Sequence, residues 1–165
     1  MVSMSACSSP PRGVTPVSGF DVDRYLGTWH EVARLDHRFE RGLTRVTAEY
    51  SLRDDGRIRV LNRGYDEAAG EWRQAEGVAR FRGDPEVGSL KVSFFGPFYG
   101  GYHIMALDHE DYAWAMVCGP TRRYLWILAR TPDLAPDVAR PLVGQAREAR
   151  FPVDDLIWLS PGSRP

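Results

Sequence analysis

The sequence predicts an all-β fold: an eight-stranded antiparallel up-and-down barrel with one C-terminal helix and a short extra strand. Short apolar runs recur at hairpin distance, with turn signals between them. No long helices separate these runs, which argues against a parallel α/β sheet. Several runs alternate apolar and polar residues, so one face can line an interior. Eight neighbouring antiparallel strands can close and so remove their exposed edges. At that strand number the interior either packs solid or holds one small ligand. A two-sheet sandwich is the structural alternative.

The strands are expected at Leu26–Leu35, Arg45–Leu52, Arg57–Tyr65, Glu71–Phe81, Ser89–Phe94, Gly101–Leu107, Tyr112–Cys118 and Tyr124–Arg130. Asp54-Asp55-Gly56, Asp66 to Gly70 and Arg82-Gly83-Asp84-Pro85 supply turns. In the second strand Val46, Ala48, Tyr50 and Leu52 share one face, and Thr47, Glu49 and Ser51 the other. The last two strands are apolar on both faces, so one face can meet a helix or a second subunit. The helix is expected over Pro136–Arg150. Pro136 suits its first turn, and Val138, Leu142, Ala146 and Ala149 form an apolar stripe. Pro141 and Gly144 weaken it, so packing must support it. Phe151 to Leu159 reads as the extra extended segment.

At 165 residues, with 43% hydrophobic residues and a formal charge of -1, the chain can bury a core without metal or disulfide. Its charges are mixed, with no basic patch dense enough for nucleic acid. The two cysteines, Cys7 and Cys118, read as independent, Cys118 as a small buried hydrophobe. The four histidines show no metal-ligand spacing, and no cofactor is expected. The glycine-rich stretch Gly96 to Gly101 lacks the lysine and hydroxyl of a phosphate loop. No short nucleophile motif joins Ser, His and Asp. Expected boundaries are 1–19 for a flexible tether or signal remnant, 20–160 for the barrel and 161–165 for a tail.

Gly27-Thr28-Trp29-His30-Glu31-Val32-Ala33-Arg34 resembles the first signature of the lipocalins, a Gly-x-Trp opening the first barrel strand. The lead-in Phe20 to Leu26 and the loop Asp36 to Leu43 extend the likeness. So do Lys91 to Tyr102, Cys118-Gly119-Pro120 and Tyr124 to Pro132. The subgroup resembled is that of bacterial outer-membrane lipoprotein lipocalins, related to apolipoprotein D and plant temperature-induced lipocalins. The likeness spans Phe20 to Leu159. It implies a barrel-closing set of Gly27, Trp29, Asp111, Tyr112 and Arg130, with Trp29 and Arg130 meeting at the closed end. Glu110-Asp111-Tyr112 departs from the family's second signature in lacking its threonine. Met4-Ser5-Ala6-Cys7 resembles the end of a bacterial lipoprotein signal, and the subgroup carries an acylated cysteine. Cys7 is therefore the lipidation candidate, implying attachment to the bacterial outer membrane, although the chain as given lacks the upstream signal and could be soluble.

The expected function is noncatalytic binding, storage or transport of a fatty acid, lysophospholipid or similar lipid in the barrel. A lipid-modifying enzyme and a scaffold with a packed barrel are the alternatives. Candidate ligand-facing residues are Tyr50, Phe81, Phe94, Phe98, Tyr99, Tyr102, Trp114 and Trp126, with Arg34, His37 and Arg38 as head-group partners. Phe95 to Gly101 is expected to be a loop at the open end, whose aromatic density makes a homodimer plausible.

Overall fold

The computed structural model describes residues 8–95 and 98–165, and for Phe95, Phe98 and Tyr99 the backbone alone. Cys7 lies outside the described residues, as do the side chains of Phe98 and Tyr99. A short helix α1 (Val22–Tyr25) leads into β1 (Gly27–Leu35), β2 (Leu43–Leu52), β3 (Ile58–Asp66) and β4 (Glu71–Phe81). Then follow β5 (Ser89–Phe95), β6 (Phe98–Leu107), β7 (Trp114–Cys118), β8 (Leu125–Ala129), helix α2 (Pro136–Glu148) and β9 (Leu156–Trp158).

From β2 to β8 each strand pairs antiparallel with the next, β8 pairs with β1, and β1 pairs with β2, which closes the barrel. Gly27–His30 pair with β2, and Ala33–Leu35 pair with β9. The expected extra strand therefore protects the part of β1 that β2 has left. The sandwich alternative falls on the β1–β2 pairing.

Two apolar clusters result. One fills the lower barrel interior with Trp29, Tyr50, Val60, Ile104, Val117 and Leu128. The other lies between the outer wall and α2, with Val32, Met116, Ile127, Leu142, Ala146 and Phe151. This explains why β7 and β8 are apolar on both faces. Helix α2 continues through Pro141, and its buried stripe is Ala139, Leu142 and Ala146 rather than one beginning at Val138.

Two expectations are corrected. Phe95 to Gly101 is mostly strand, because Phe95 pairs with Phe98 and β6 starts there. Residues 8–19, expected to be a flexible tether, are laid along the outer wall. Val14 is buried there, Val17 N–H donates to Ile104 O at 2.9 Å, and Gly88 N–H donates to Val17 O at 2.9 Å. The tail 161–165 packs against the chain: Ser163 is fully buried, and its hydroxyl accepts from Leu134 N–H at 2.7 Å.

The topology places the connections 36–42, 67–70 and 119–124 at one end of the barrel. Helix α1 and the connections 53–57, 82–88 and 108–113 gather at the other.

Candidate functional site: barrel floor and barrel mouth

The floor begins with Trp29, which has no exposed surface, and whose indole N–H donates to Tyr25 O at 2.8 Å. The Arg130 guanidinium carbon lies 4.0 Å from the centre of that ring. Its nitrogens donate to the carbonyls of Tyr112, Thr28 and Arg24 at 3.2, 3.1 and 2.7 Å. One cation thus gains the ring's electrostatic attraction and ties three backbone segments together. Gly27 stands at φ +99, and a Cβ there would meet Arg130 Nη1 at 3.3 Å, so both the dihedral and the close approach favour glycine.

Tyr112 is buried, and its hydroxyl accepts from Asp21 N–H at 3.1 Å. Asp111 is exposed on the same turn. The carboxylate that organises the turn is Asp108, which accepts from the N–H groups of Glu110, Asp111 and Ala113. Above them Tyr25 and Tyr50 each hydrogen-bond the Tyr102 hydroxyl, at 2.6 and 2.8 Å. Burial raises all three phenols, Tyr50 to about 12, so they stay neutral. The cavity left among Phe20, Tyr25, Tyr50, Leu90 and Tyr102 is about 20 Å³, room for about one water. No acyl chain enters this part.

The mouth is built from charge. The β1–β8 register shifts between Glu31 and Ala33, and this bulge lets Glu31 and Arg34 meet at 3.0 Å. Arg34 is 1% exposed. It also donates to Asp36 Oδ1 at 3.2 Å, Glu40 O at 2.9 Å and Leu43 O at 3.2 Å, which clamps the β1–β2 connection. Glu40 Oε1 accepts from the Trp126 indole N–H at 2.9 Å and lies 3.0 Å from His37 Nε2. Burial, then the nearby Glu40, raises the Glu31 carboxyl well above the usual range. Burial would also raise Glu40, but hydrogen bonds from His37, Glu31 and Trp126 overrule it and hold Glu40 at about 2. Glu31 and Glu40 are thus shifted in opposite directions, Glu31 upward by burial and Glu40 downward by its hydrogen bonds.

The wall opposite carries small residues. Gly77 and Ala79 on β4 are buried and face inward, and Ala75, on the same face one step nearer the mouth, is exposed. Ala48, Asn62 and Ala75 are register neighbours across β2, β3 and β4, so short side chains line this level. Phe94 is 37% exposed. Its ring lies over Gly77, where a Cβ would approach it to 2.8 Å. The accessible Phe94 ring thus stands beside a row of small residues, with Asn62 among them, above the sealed floor.

The other candidates are spread over the molecule. Tyr50 and Tyr102 belong to the floor, and Phe81 packs beside them, 6.0 Å from Phe20. Trp126 stands at the mouth, stacked with Tyr124 and met edge-on by His37. Trp114 packs in the outer cluster beneath α2. Arg38 is exposed and covers the Phe39 ring at 4.9 Å. His37, Arg38, Arg123 and Tyr124 also border a hollow of about 640 Å³ beside the mouth. Glu31, Glu40 and Asp108 escaped sequence reasoning. A lone acid immediately before the run Val32–Leu35 was the available signal for Glu31. Among the described residues no set of three or more His, Cys, Asp or Glu could hold a metal ion.

A closed eight-stranded barrel sealed at one end, open at the other and flanked by one helix is the architecture of ligand-carrying calyx proteins. Insecticyanin from the tobacco hornworm superposes with a TM-score of 0.71 over 92% of this chain and 85% of its own, at 22% identity. A sequence profile described as a lipocalin-like domain matches residues 20–161, and the chain belongs to the lipocalin family. It is 58% identical over 161 residues to outer membrane lipoprotein Blc of Escherichia coli (strain K12), covering 96% of this chain and 90% of that protein. To temperature-induced lipocalin-1 of Arabidopsis thaliana it is 34% identical over 150 residues, covering 85% and 78%. Family and fold make this a noncatalytic lipid-binding protein.

Proposed function

We propose that the barrel interior above the floor forms a pit that takes up one single-chain lipid, a fatty acid or lysophospholipid, tail first. The observation that carries this reading is the inward-facing row of short side chains, with Phe94 accessible beside it and the Trp29–Tyr102 floor beneath. Each buried methylene contributes about 0.8 kcal/mol, so a sixteen-carbon tail supplies about 13 kcal/mol before ordering costs. That gross term exceeds anything a hydrated head group adds. The head group then sits at the rim, where His37 and Arg38 border the adjoining hollow. Arg34 already donates to four protein partners, so its role here is to hold the rim in shape.

The bacterial relative's name, outer membrane lipoprotein, supports a further proposal for this chain: acylation of Cys7 and residence at the outer membrane. Native mass spectrometry of protein purified without detergent tests the lipid reading. An acyl-lipid adduct at one per chain is expected. A folded protein that takes up neither fatty acid nor lysophospholipid would sink it. Mass analysis of Cys7 after expression with a full lipoprotein signal tests the anchor separately. Three acyl groups on the cysteine, or two with a free amine, are expected, and an unmodified thiol overturns that part.

A further inference from the structure

The surface outside the pit differs sharply between the two ends of the barrel. Across the connections 36–42, 67–70 and 119–124 the open end carries four arginines against three carboxylates. Across 20–26, 53–57, 82–88 and 108–113 the closed end carries four arginines against nine carboxylates. A chain of net charge -1 is therefore acidic at its floor and slightly basic at its mouth.

Two exposed aromatic residues stand at the mouth. Phe39 is 64% exposed and lies under Arg38; Trp72 is 48% exposed, with Arg45 and Arg63 within 5.1 and 5.0 Å of its ring. Rings paired with guanidiniums suit the boundary between lipid head groups and acyl chains.

The N-terminal segment is fixed to the outer wall. Arg82 donates to Ser89 Oγ at 3.0 Å and Ser9 Oγ at 3.1 Å, and Ser89 Oγ lies 2.9 Å from His103 Nδ1. A Cβ on Gly101 would meet His103 Nε2 at 2.6 Å and Ser8 O at 2.8 Å, so Ser8 is seated directly on the wall. Gly101 pairs with Lys91 on β5, at the level of the floor. Arg122, in the β7–β8 connection, donates to Arg12 O at 2.7 Å and holds the segment again. The Ser89–His103 pair, a serine beside a histidine, thus works as a fastener for this segment.

We propose that the open end docks onto an anionic phospholipid surface, so that lipid passes between bilayer and pit without crossing water. The docking rests on the lipid-binding reading for its purpose but not for its detection.

The test is co-flotation of the full chain with vesicles of phosphatidylcholine alone or containing about one third phosphatidylglycerol, chosen to give a surface potential of tens of millivolts. Binding to the anionic vesicles at least five-fold above the neutral ones is expected, falling with salt. Phe39→Ser with Trp72→Ser, and separately Arg41→Glu with Arg63→Glu, should abolish that excess while leaving uptake of dispersed fatty acid intact. Loss of fatty-acid uptake in wild type with vesicle binding retained would condemn the pit and not the docking. Lipid-chain bromines should quench wild-type fluorescence and spare Trp72→Phe. Equal binding to both vesicle types overturns the proposal. So does a stable dimer in solution that buries Phe39 and Trp72, read as dissociation of the double serine variant by analytical ultracentrifugation.

Discussion

The floor and the mouth of this barrel solve the same problem, fixing a strand end, with opposite materials. At the floor one cation, Arg130, lies on an indole face and ties neutral carbonyls. At the mouth one cation, Arg34, is surrounded by three acids, Glu31, Asp36 and Glu40. The floor gains mainly from apolar burial, which tolerates no vacancy. The mouth gains from mutual compensation among desolvated charges, which tolerates no missing partner. A sealed end therefore forms by packing, while an end that must stay open is stiffened by a polar clamp that fills little of the interior.

Removing Trp29 should have the largest effect. Trp29→Ala should cost about 4 kcal/mol, read as a shift in urea midpoint at unchanged slope. A cost below about 1 kcal/mol would mean that the floor is not the packed half of the molecule. Arg34→Ala comes next, at about 3 kcal/mol, because it leaves buried carboxyls without a counter-charge. Arg34→Ala combined with Glu31→Gln should recover part of that loss. An additive double variant would show that Glu31 and Arg34 do not act as one unit.

The pH dependence sharpens the same contrast. Glu40 is depressed from 4.5 to about 2 in the folded protein. Its contribution is therefore fully present above the unfolded value and is lost as pH falls from about 4.5 toward 2. Glu31 is raised, so its contribution has the opposite sign: complete below its unfolded value and lost as pH rises through its folded one. Glu40→Gln should remove about 2 kcal/mol of the acid-side decline, measured by denaturation between pH 5 and 2. An unchanged acid limb would remove Glu40 from the clamp. The smallest stability effect belongs to Phe94→Ala. Its exposed ring should cost under about 1 kcal/mol yet weaken lipid retention several-fold. Equal losses of stability and lipid would place Phe94 in the core instead.

Much of the fold was legible in the sequence because strands in a closed barrel must alternate and must turn. The β4 limits, Glu71–Phe81, agree with the structure to the residue. The Trp29–Arg130 contact was legible through family resemblance, since no periodicity links residues so far apart. Trp114 and Trp126 could not be separated by pattern. Both β7 and β8 are apolar on both faces, and only the packing of α2 decides which face is outside. Glu31 and Arg34 were hidden by the β1 bulge, which turns residues three apart to one side. The fastened segment 8–19 was hidden by its Ser, Pro and Gly content. Its signal was the pair Val14 and Val17, apolar residues without local partners.

The central claim is that a lipid tail ends above the Trp29–Tyr102 floor. A fatty acid brominated at its terminal carbon, soaked into crystals, locates that end by anomalous scattering. The account predicts one bromine peak inside the barrel, between Ala48 and Phe94 and above Tyr102. A peak against the outer wall beneath α2, with water filling the pit, would contradict it.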